Sequence, residues 1–286
     1  MKPFDYIQAP SITDACIAAA EHSPAKFLAG GTDLLIELRR GNGNYPNSVV
    51  DISFLHELRG IEATPDGLIR IGPLTTHSEL SSSALLRKNA SFLSSAASTI
   101  GSPQIRNRGT VGGNVMNSAA CADTVPPLIA LGASVTLQSV EGRRTITLSD
   151  FFIGPYKNIA RGDELLTSIS FSPLPSVCRS SFVKLGRRNA LSISRLSVAA
   201  VIGYDRDGRI ADARIVPGSA FPVWRRAREA EQMLLGEEPS DKLFTAAGKR
   251  VSEAMVSYTG RRWSTEYKEA VITILVRRAL EMCGRG

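Results

Sequence analysis

The chain has 286 residues, 43% hydrophobic and 21% charged, a balance expected of a soluble globular protein with room for one large domain or two to three smaller ones. No apolar run is long enough to span a bilayer and Met1-Lys2-Pro3-Phe4-Asp5-Tyr6 lacks the apolar centre of a signal peptide, so a cytoplasmic protein with no membrane partner is expected. The net charge of +7 is spread over short pairs such as Arg39-Arg40, Arg143-Arg144 and Arg277-Arg278, and aromatic residues are only 6%, which argues against a nucleic-acid platform.

In chain order, Phe4 to Ala9 predicts a short strand ended by Pro10. Ser11 can cap a helix whose apolar positions Ile12, Ala15, Cys16, Ala19 and Ala20 fall at helical spacing. Lys26 to Ala29 reads as a strand, Leu34, Leu35 and Leu38 as one side of a short helix, Gly41 to Asn44 as a break, and Val49 to Ile52 as a third strand. Pro65-Asp66-Gly67 marks a hairpin between Leu58–Ala63 and Leu68–Ile71. Helices are expected at Thr76–Leu80, near Phe92–Ile100, and from Pro126-Pro127 to Leu131. Ser134–Gln138 pairs with Arg144–Thr147, and Leu165–Phe171 predicts a strand leaving this part of the chain. After the linker Pro173-Leu174-Pro175-Ser176 come three antiparallel strands, Ser181–Leu185, Leu196–Tyr204 and Ile210–Val216, then helices near Trp224–Leu235, Lys242–Tyr258 and Tyr267–Cys283.

Two stretches stand apart from this pattern, Ala29-Gly30-Gly31-Thr32-Asp33 and Arg106-Asn107-Arg108-Gly109-Thr110-Val111-Gly112-Gly113-Asn114. Each sets a glycine pair beside threonine and a short polar side chain. Glycine lets the backbone take positive φ and approach a ligand closely, and freed N–H groups can form an anion-binding concavity. Either stretch alone is equally well a tight turn; together they suggest two jaws on an extended phosphorylated ligand. The four scattered cysteines (Cys16, Cys121, Cys178, Cys283) have no C-x-x-C spacing, and only three histidines are present, which argues against a metal or iron–sulfur centre held by this chain and against a disulfide framework. Cys121 reads as an inert, buried thiol.

These two stretches, with Ile105 before the second and Asp123 nine residues after it, resemble the FAD-binding medium subunits of molybdenum hydroxylases, the relatives of xanthine and carbon monoxide dehydrogenases. Val50-Asp51-Ile52, Leu58-Arg59-Gly60-Ile61, Gly162-Asp163-Glu164-Leu165-Leu166 and Phe182-Val183-Lys184 extend the resemblance nearly end to end. It implies an α+β chain: the two-subdomain FAD-binding fold of the vanillyl-alcohol oxidase (PCMH) type over 1–56 and 57–175, then a C-terminal domain over 176–286 with a three-stranded antiparallel sheet and a three-helix bundle. FAD would lie extended between the first two units, touching Phe27, Leu28, Ala29, Gly30, Gly31, Thr32, Asp33 and Leu34 on one side, with the backbone of 29–33 on the pyrophosphate. Thr110, Val111, Gly112, Gly113 and Asn114 would wrap the other side near the ribityl chain. Asp123 would accept from a sugar or adenine-side hydroxyl, Ile100 would sit beside the isoalloxazine, and Leu166 and Lys184 would add further contacts. A bulky residue at Gly112 or Gly113 is expected to expel FAD by filling ligand space.

The resemblance further implies a large partner subunit with molybdopterin and a small one with two [2Fe–2S] clusters, as a dimer of heterotrimers. Electrons would pass from the clusters through FAD to an acceptor, expected to be NAD, and the complex would hydroxylate a purine or another N-heteroaromatic ring. No catalytic residue and no metal ligand are expected here. Arg187 to Ser194 lacks the carboxylates that some NAD-reducing relatives carry near the flavin, so a quinone, a carrier protein or oxygen stay open as acceptors. A stand-alone flavin oxidase of the same fold would need its own base, and no histidine follows His77; a non-catalytic assembly module would not need both glycine stretches and Asp123.

Overall fold

The computed structural model describes residues 3–40, 45–188, 191–261 and 263–284. The expected break at Gly41 to Asn44 lies outside them, as do the first two residues of the N-terminal stretch and two of the 187–194 segment.

Chain order begins with β1 (Asp5–Gln8), α1 (Ile12–Glu21), β2 (Ala25–Leu28), α2 (Leu34–Arg40) and β3 (Ser48–Asp51). The Ser11 side chain caps α1 by accepting from the Asp14 N–H, and Ala15, Cys16 and Ala19 form its buried face. The strands make a parallel sheet in the order β1-β3-β2. Its central strand is buried at all four residues, which explains the apolar Val49-Val50 pair there.

The next unit holds β4 (Ile61–Ala63), β5 (Ile69–Ile71), α3 (His77–Ser82), α4 (Ala84–Asn89), α5 (Ser91–Ser98), α6 (Pro103–Arg106), α7 (Val111–Asn117), α8 (Val125–Ala130), β6 (Ser134–Ser139), β7 (Gly142–Thr147), α9 (Leu148–Phe151), β8 (Phe152–Gly154), β9 (Lys157–Asn158) and β10 (Leu165–Phe171). Five strands form an antiparallel sheet in the order β4-β5-β10-β6-β7. β10 therefore does not leave the unit, as its position before the linker suggests; it is the middle strand and buries Leu165, Leu166, Ile169 and Phe171. The second glycine stretch is not all loop. Gly112 and Gly113 lie in the first turn of α7, capped by the Thr110 hydroxyl, which accepts from the Gly113 N–H.

The last part comprises β11 (Cys178–Leu185), β12 (Leu196–Tyr204), β13 (Ile210–Gly218), α10 (Arg228–Gln232), α11 (Asp241–Thr259) and α12 (Thr265–Gly284). β12 is the middle of an antiparallel sheet and is buried on both faces. Ala199 and Val201 belong to the core shared with the five-stranded sheet, while Val198, Ala200 and Ile202 belong to the core under the C-terminal helices. One strand thus joins two cores. The helix expected over Trp224–Leu235 shrinks to Arg228–Gln232, because the Ala227 N–H is drawn to the Ile215 carbonyl beside β13. No described helix is long and apolar enough to cross a membrane.

Candidate functional site

β2 delivers the first glycine stretch and β10 the far wall of a cleft of about 310 Å³. Phe27, Ala29, Gly30, Gly31, Thr32, Asp33 and Leu34 line it from one side. Thr110, Gly112, Gly113 and Asn114 line it from the other, with Leu166 from β10. Of the remaining residues that the sequence suggested, Leu28, Ile100, Val111, Asp123 and Lys184 are not on this wall.

The two stretches meet backbone to backbone. A Cβ on Gly30 would stand 1.9 Å from the Arg108 carbonyl oxygen, so only glycine permits the approach. The Asn117 amide donates to Asp33 Oδ2 at 3.1 Å and ties the same two stretches from the side. Gly31 has φ of 72°, which turns the chain from β2 into α2.

Their hydrogen bonding differs. Among the described residues, the backbone N–H groups of Gly30, Gly31, Thr32 and Asp33 have no protein acceptor, and they sit in the wall of the cleft. In the second stretch all but the Thr110 N–H are engaged from Gly109 on: Gly109 with Ile105, Val111 with Thr75 and Gly112 with Pro73, at 2.7 to 2.9 Å. Gly113 and Asn114 donate to the Thr110 hydroxyl and carbonyl. A Cβ on Gly112 would lie 2.4 Å from Pro73 Cβ, so the expectation that it would fill ligand space is corrected: it would strike Pro73. The Asn114 side chain accepts from Thr124 Oγ1 at 2.7 Å, which leaves its amide N–H groups for the cleft.

Sequence reasoning missed His77, Asn117, Asn158 and Arg161 as wall residues, and took only Leu166 from the segment that also brings Glu164. His77 comes from the start of α3, Asn117 from the end of α7, Asn158 from β9 and Arg161 from the segment before β10, while Glu164 lies in the Gly162-Asp163-Glu164-Leu165-Leu166 segment already singled out in the sequence. His77 is 3% exposed and packs beneath Gly109, with no partner for Nδ1 among the described residues. Burial, helped by the Arg106 cation, lowers its pKa from 6.5 to about 4, so the ring is neutral at pH 7. Burial would raise the Glu164 carboxyl, but Arg144, bound to it at 2.6 and 2.7 Å, and the Arg161 N–H hold it below the usual range.

Asp123 and Lys184 form a separate buried node. Lys184 Nζ lies 2.7 Å from Asp123 Oδ2 and 3.0 Å from the Thr99 carbonyl, and the Ser194 hydroxyl donates to Asp123 Oδ1. Burial pushes the Asp123 carboxyl up, while Lys184 and Ser194 pull it down. Ile100 follows α5, and Arg106 holds its carbonyl at 2.9 Å. Cys121 is half-buried rather than buried as expected, and desolvation, with Asp123 adding to it, raises its thiol. Among the described residues, no group of three or more His, Cys, Asp or Glu could hold a metal ion.

A cradle of free N–H donors beside a φ-positive glycine suits a pyrophosphate, which only accepts hydrogen bonds. Residues 2–174 match the family model of the FAD-binding domain in molybdopterin dehydrogenase, and 181–283 match the CO dehydrogenase flavoprotein C-terminal domain. The chain is 33% identical to the xanthine dehydrogenase FAD-binding subunit of Escherichia coli O157:H7, over 96% of this chain and 94% of that protein. It is 32% identical to the nicotine 6-hydroxylase medium subunit of Paenarthrobacter nicotinovorans, over 98% and 96%. A solved structure of carbon monoxide dehydrogenase from Hydrogenophaga pseudoflava, which lacks the Mo-pyranopterin moiety of its cofactor, superposes with a TM-score of 0.90, at 28% identity and 99% coverage of both chains. The chain therefore belongs to the FAD-binding subunits of the molybdenum hydroxylase family, the relatives of xanthine and carbon monoxide dehydrogenases.

Proposed function

We propose that the cleft between residues 29–34 and 110–114 holds FAD, within the division 1–56, 57–175 and 176–286, and that this chain passes electrons from two [2Fe–2S] clusters of a small partner subunit to NAD. The observation that carries this is the run of free N–H groups from Gly30 to Asp33 in the cleft wall. Bound there, FAD supplies the electron relay between clusters and acceptor. The chain's own residues orient it and shield it from water. Gly30 to Asp33 hold the pyrophosphate through the backbone, and the Thr32 hydroxyl and Asn114 amide add donors. The Asp33–Asn117 bond fixes the spacing of the two walls. Neutral His77 fills the floor under Gly109 without adding a charge. Phe27, Leu28, Leu34, Val111, Gly112, Gly113 and Leu166 complete or back the wall.

Ile100, held through its carbonyl by Arg106, and the Asp123–Lys184 node lie outside this wall; we assign Ile100 to the isoalloxazine side, Asp123 to a sugar or adenine-side hydroxyl of FAD, and Lys184 to a further contact. Lys184 bridges Asp123 Oδ2 and the Thr99 carbonyl and so docks β11 there, and each Asp123 oxygen, with one donor among the described residues, keeps a lone pair for a ligand hydroxyl. A molybdopterin-bearing large subunit completes the heterotrimer, which pairs as a dimer. The names of the xanthine and nicotine relatives support a purine or another N-heteroaromatic ring as the substrate of the complex.

Co-purification of the tagged chain from its native host, with absorbance spectra and metal analysis, tests this reading. Flavin in this chain with molybdenum and iron in accompanying chains, and flavin bleached by substrate and recoloured by NAD, is the expected result. A colourless chain that purifies alone would overturn it.

A further inference from the structure

A second cleft, of about 730 Å³, lies at the seam between the two cores. The five-stranded unit contributes Ile129, Thr147, Asp150 and Phe152; the C-terminal part contributes residues 221 and 223–230 and the face of α11 with Arg250 and Tyr258. Its floor is apolar. Phe152 packs on Trp224 with ring centroids 4.5 Å apart, and Phe221 meets Tyr258 edge to face at 5.7 Å.

Four arginines and two carboxylates, Asp150 and Glu229, also line it, and the arginines are not equivalent. Arg226 and Arg228 share Glu231, and Arg250 is paired with Glu229 and Glu253. Arg225 has no carboxylate within ion-pair distance among the described residues; its guanidinium lies 4.2 Å from the centre of the Tyr258 ring. Its Nε is buried without an acceptor among the described residues. The indole N–H of the adjacent Trp224, on a side chain only 5% exposed, also has none. A buried N–H left unpaired is costly, so two on neighbouring residues of one wall call for an explanation. Both groups only donate, hence the missing partner accepts. Glu229 is engaged by Arg250, which leaves Asp150 as the one lining carboxylate without an ion pair among the described residues.

We propose that this seam is a second binding site, for a small organic anion with an oxyanion head and an apolar body. Trp224 and Arg225 take the head, and the rings of Phe221 and Tyr258 take the body. A concave, aromatic-lined hollow between two domains with a few convergent polar groups is the usual setting for a small molecule. The inference stands apart from the flavin reading, since the two clefts share no lining residue.

Benzoate is the ligand to test, with benzyl alcohol as its uncharged counterpart and phenyl phosphate as the alternative head. In the full chain as purified, Trp263→Phe leaves Trp224 as the sole indole, because the chain has two tryptophans. A saturable downfield shift of the indole N–H resonance with benzoate or phenyl phosphate, absent with benzyl alcohol, is expected. Arg225→Gln should weaken that binding about tenfold or more. Should this variant fail to fold, Arg225→Lys, which keeps the charge and loses Nε, is expected to weaken it as well. An indole resonance unmoved by millimolar benzoate and phenyl phosphate, an equal response to benzyl alcohol, or unchanged affinity in a folded Arg225 variant would overturn the proposal.

Discussion

Residues 29–34 and 109–114 both carry a glycine pair and a threonine, yet their backbones are spent differently. In the first, four successive N–H groups have no protein partner among the described residues, and their residues line the cleft. In the second, the N–H groups of Gly109 and of Val111 to Asn114 go to Ile105, Thr75, Pro73 and Thr110, and Gly112 is small because Pro73 is against it. In the proposed reading the first stretch offers its backbone to the ligand, while the second, which also lines the cleft, is the buttress that lets the first come close, through the contact of Gly30 with Arg108. Similar composition thus separates into binding and packing once the partners of each N–H are counted.

The sharpest way to break this comparison is to add a Cβ where it has no room. Gly112→Val should destabilise even the flavin-free protein by about 3 kcal/mol or more, because the Pro73 backbone must move. Gly30→Val should do the same by parting the stretches. Urea unfolding checks both; wild-type stability with low flavin in Gly112→Val would return that glycine to the ligand surface.

His77, beneath the second stretch, gives a pH test of similar size. Unfolded, its ring takes a proton at its ordinary 6.5; folded, only near 4. Between these values the unfolded chain binds more protons, so stability falls as pH drops from 6.5 towards 4, by up to roughly 3 kcal/mol. Unfolding curves of the wild type and His77→Gln across that window should diverge, with the variant showing the flatter dependence. Parallel curves would contradict a neutral, buried imidazole.

The smallest effects separate the two threonines. Thr110→Val removes the cap of α7 and should cost about 1 kcal/mol of stability. Thr32→Val, whose hydroxyl has no protein partner among the described residues, should leave stability unchanged and weaken FAD about tenfold. Thermal unfolding and flavin fluorescence titration of both variants measure the contrast; equal effects on the two readouts would erase it.

Local signals in the sequence were physical and therefore legible. Ser11 caps α1, Pro65-Asp66-Gly67 turns β4 into β5, and the alternation in Leu165–Phe171 makes a strand. The central place of β10 was not legible, because its partners Ile71 and Val135 lie far away in the chain. Nor was α7, since two glycines at its start disfavour helix and only the Thr110 cap and the contact with Pro73 hold them there. The site was legible where a backbone must be bare, as at Gly30 and Gly31. It was hidden where a single side chain such as His77 or Asn117 reaches the wall by tertiary placement alone. The names of the cofactor and partners came from resemblance, and no count of glycines would have supplied them.

Hydrogen exchange resolved to single amides, with and without FAD, tests the division between the two stretches most directly. The amides of Gly30 to Asp33 should exchange rapidly in the flavin-free chain and become protected when FAD is added, while those of Gly112 to Asn114 stay protected in both states. Exchange at Gly30 to Asp33 that is as fast with FAD as without it, or new protection confined to Gly112 to Asn114, would contradict the account.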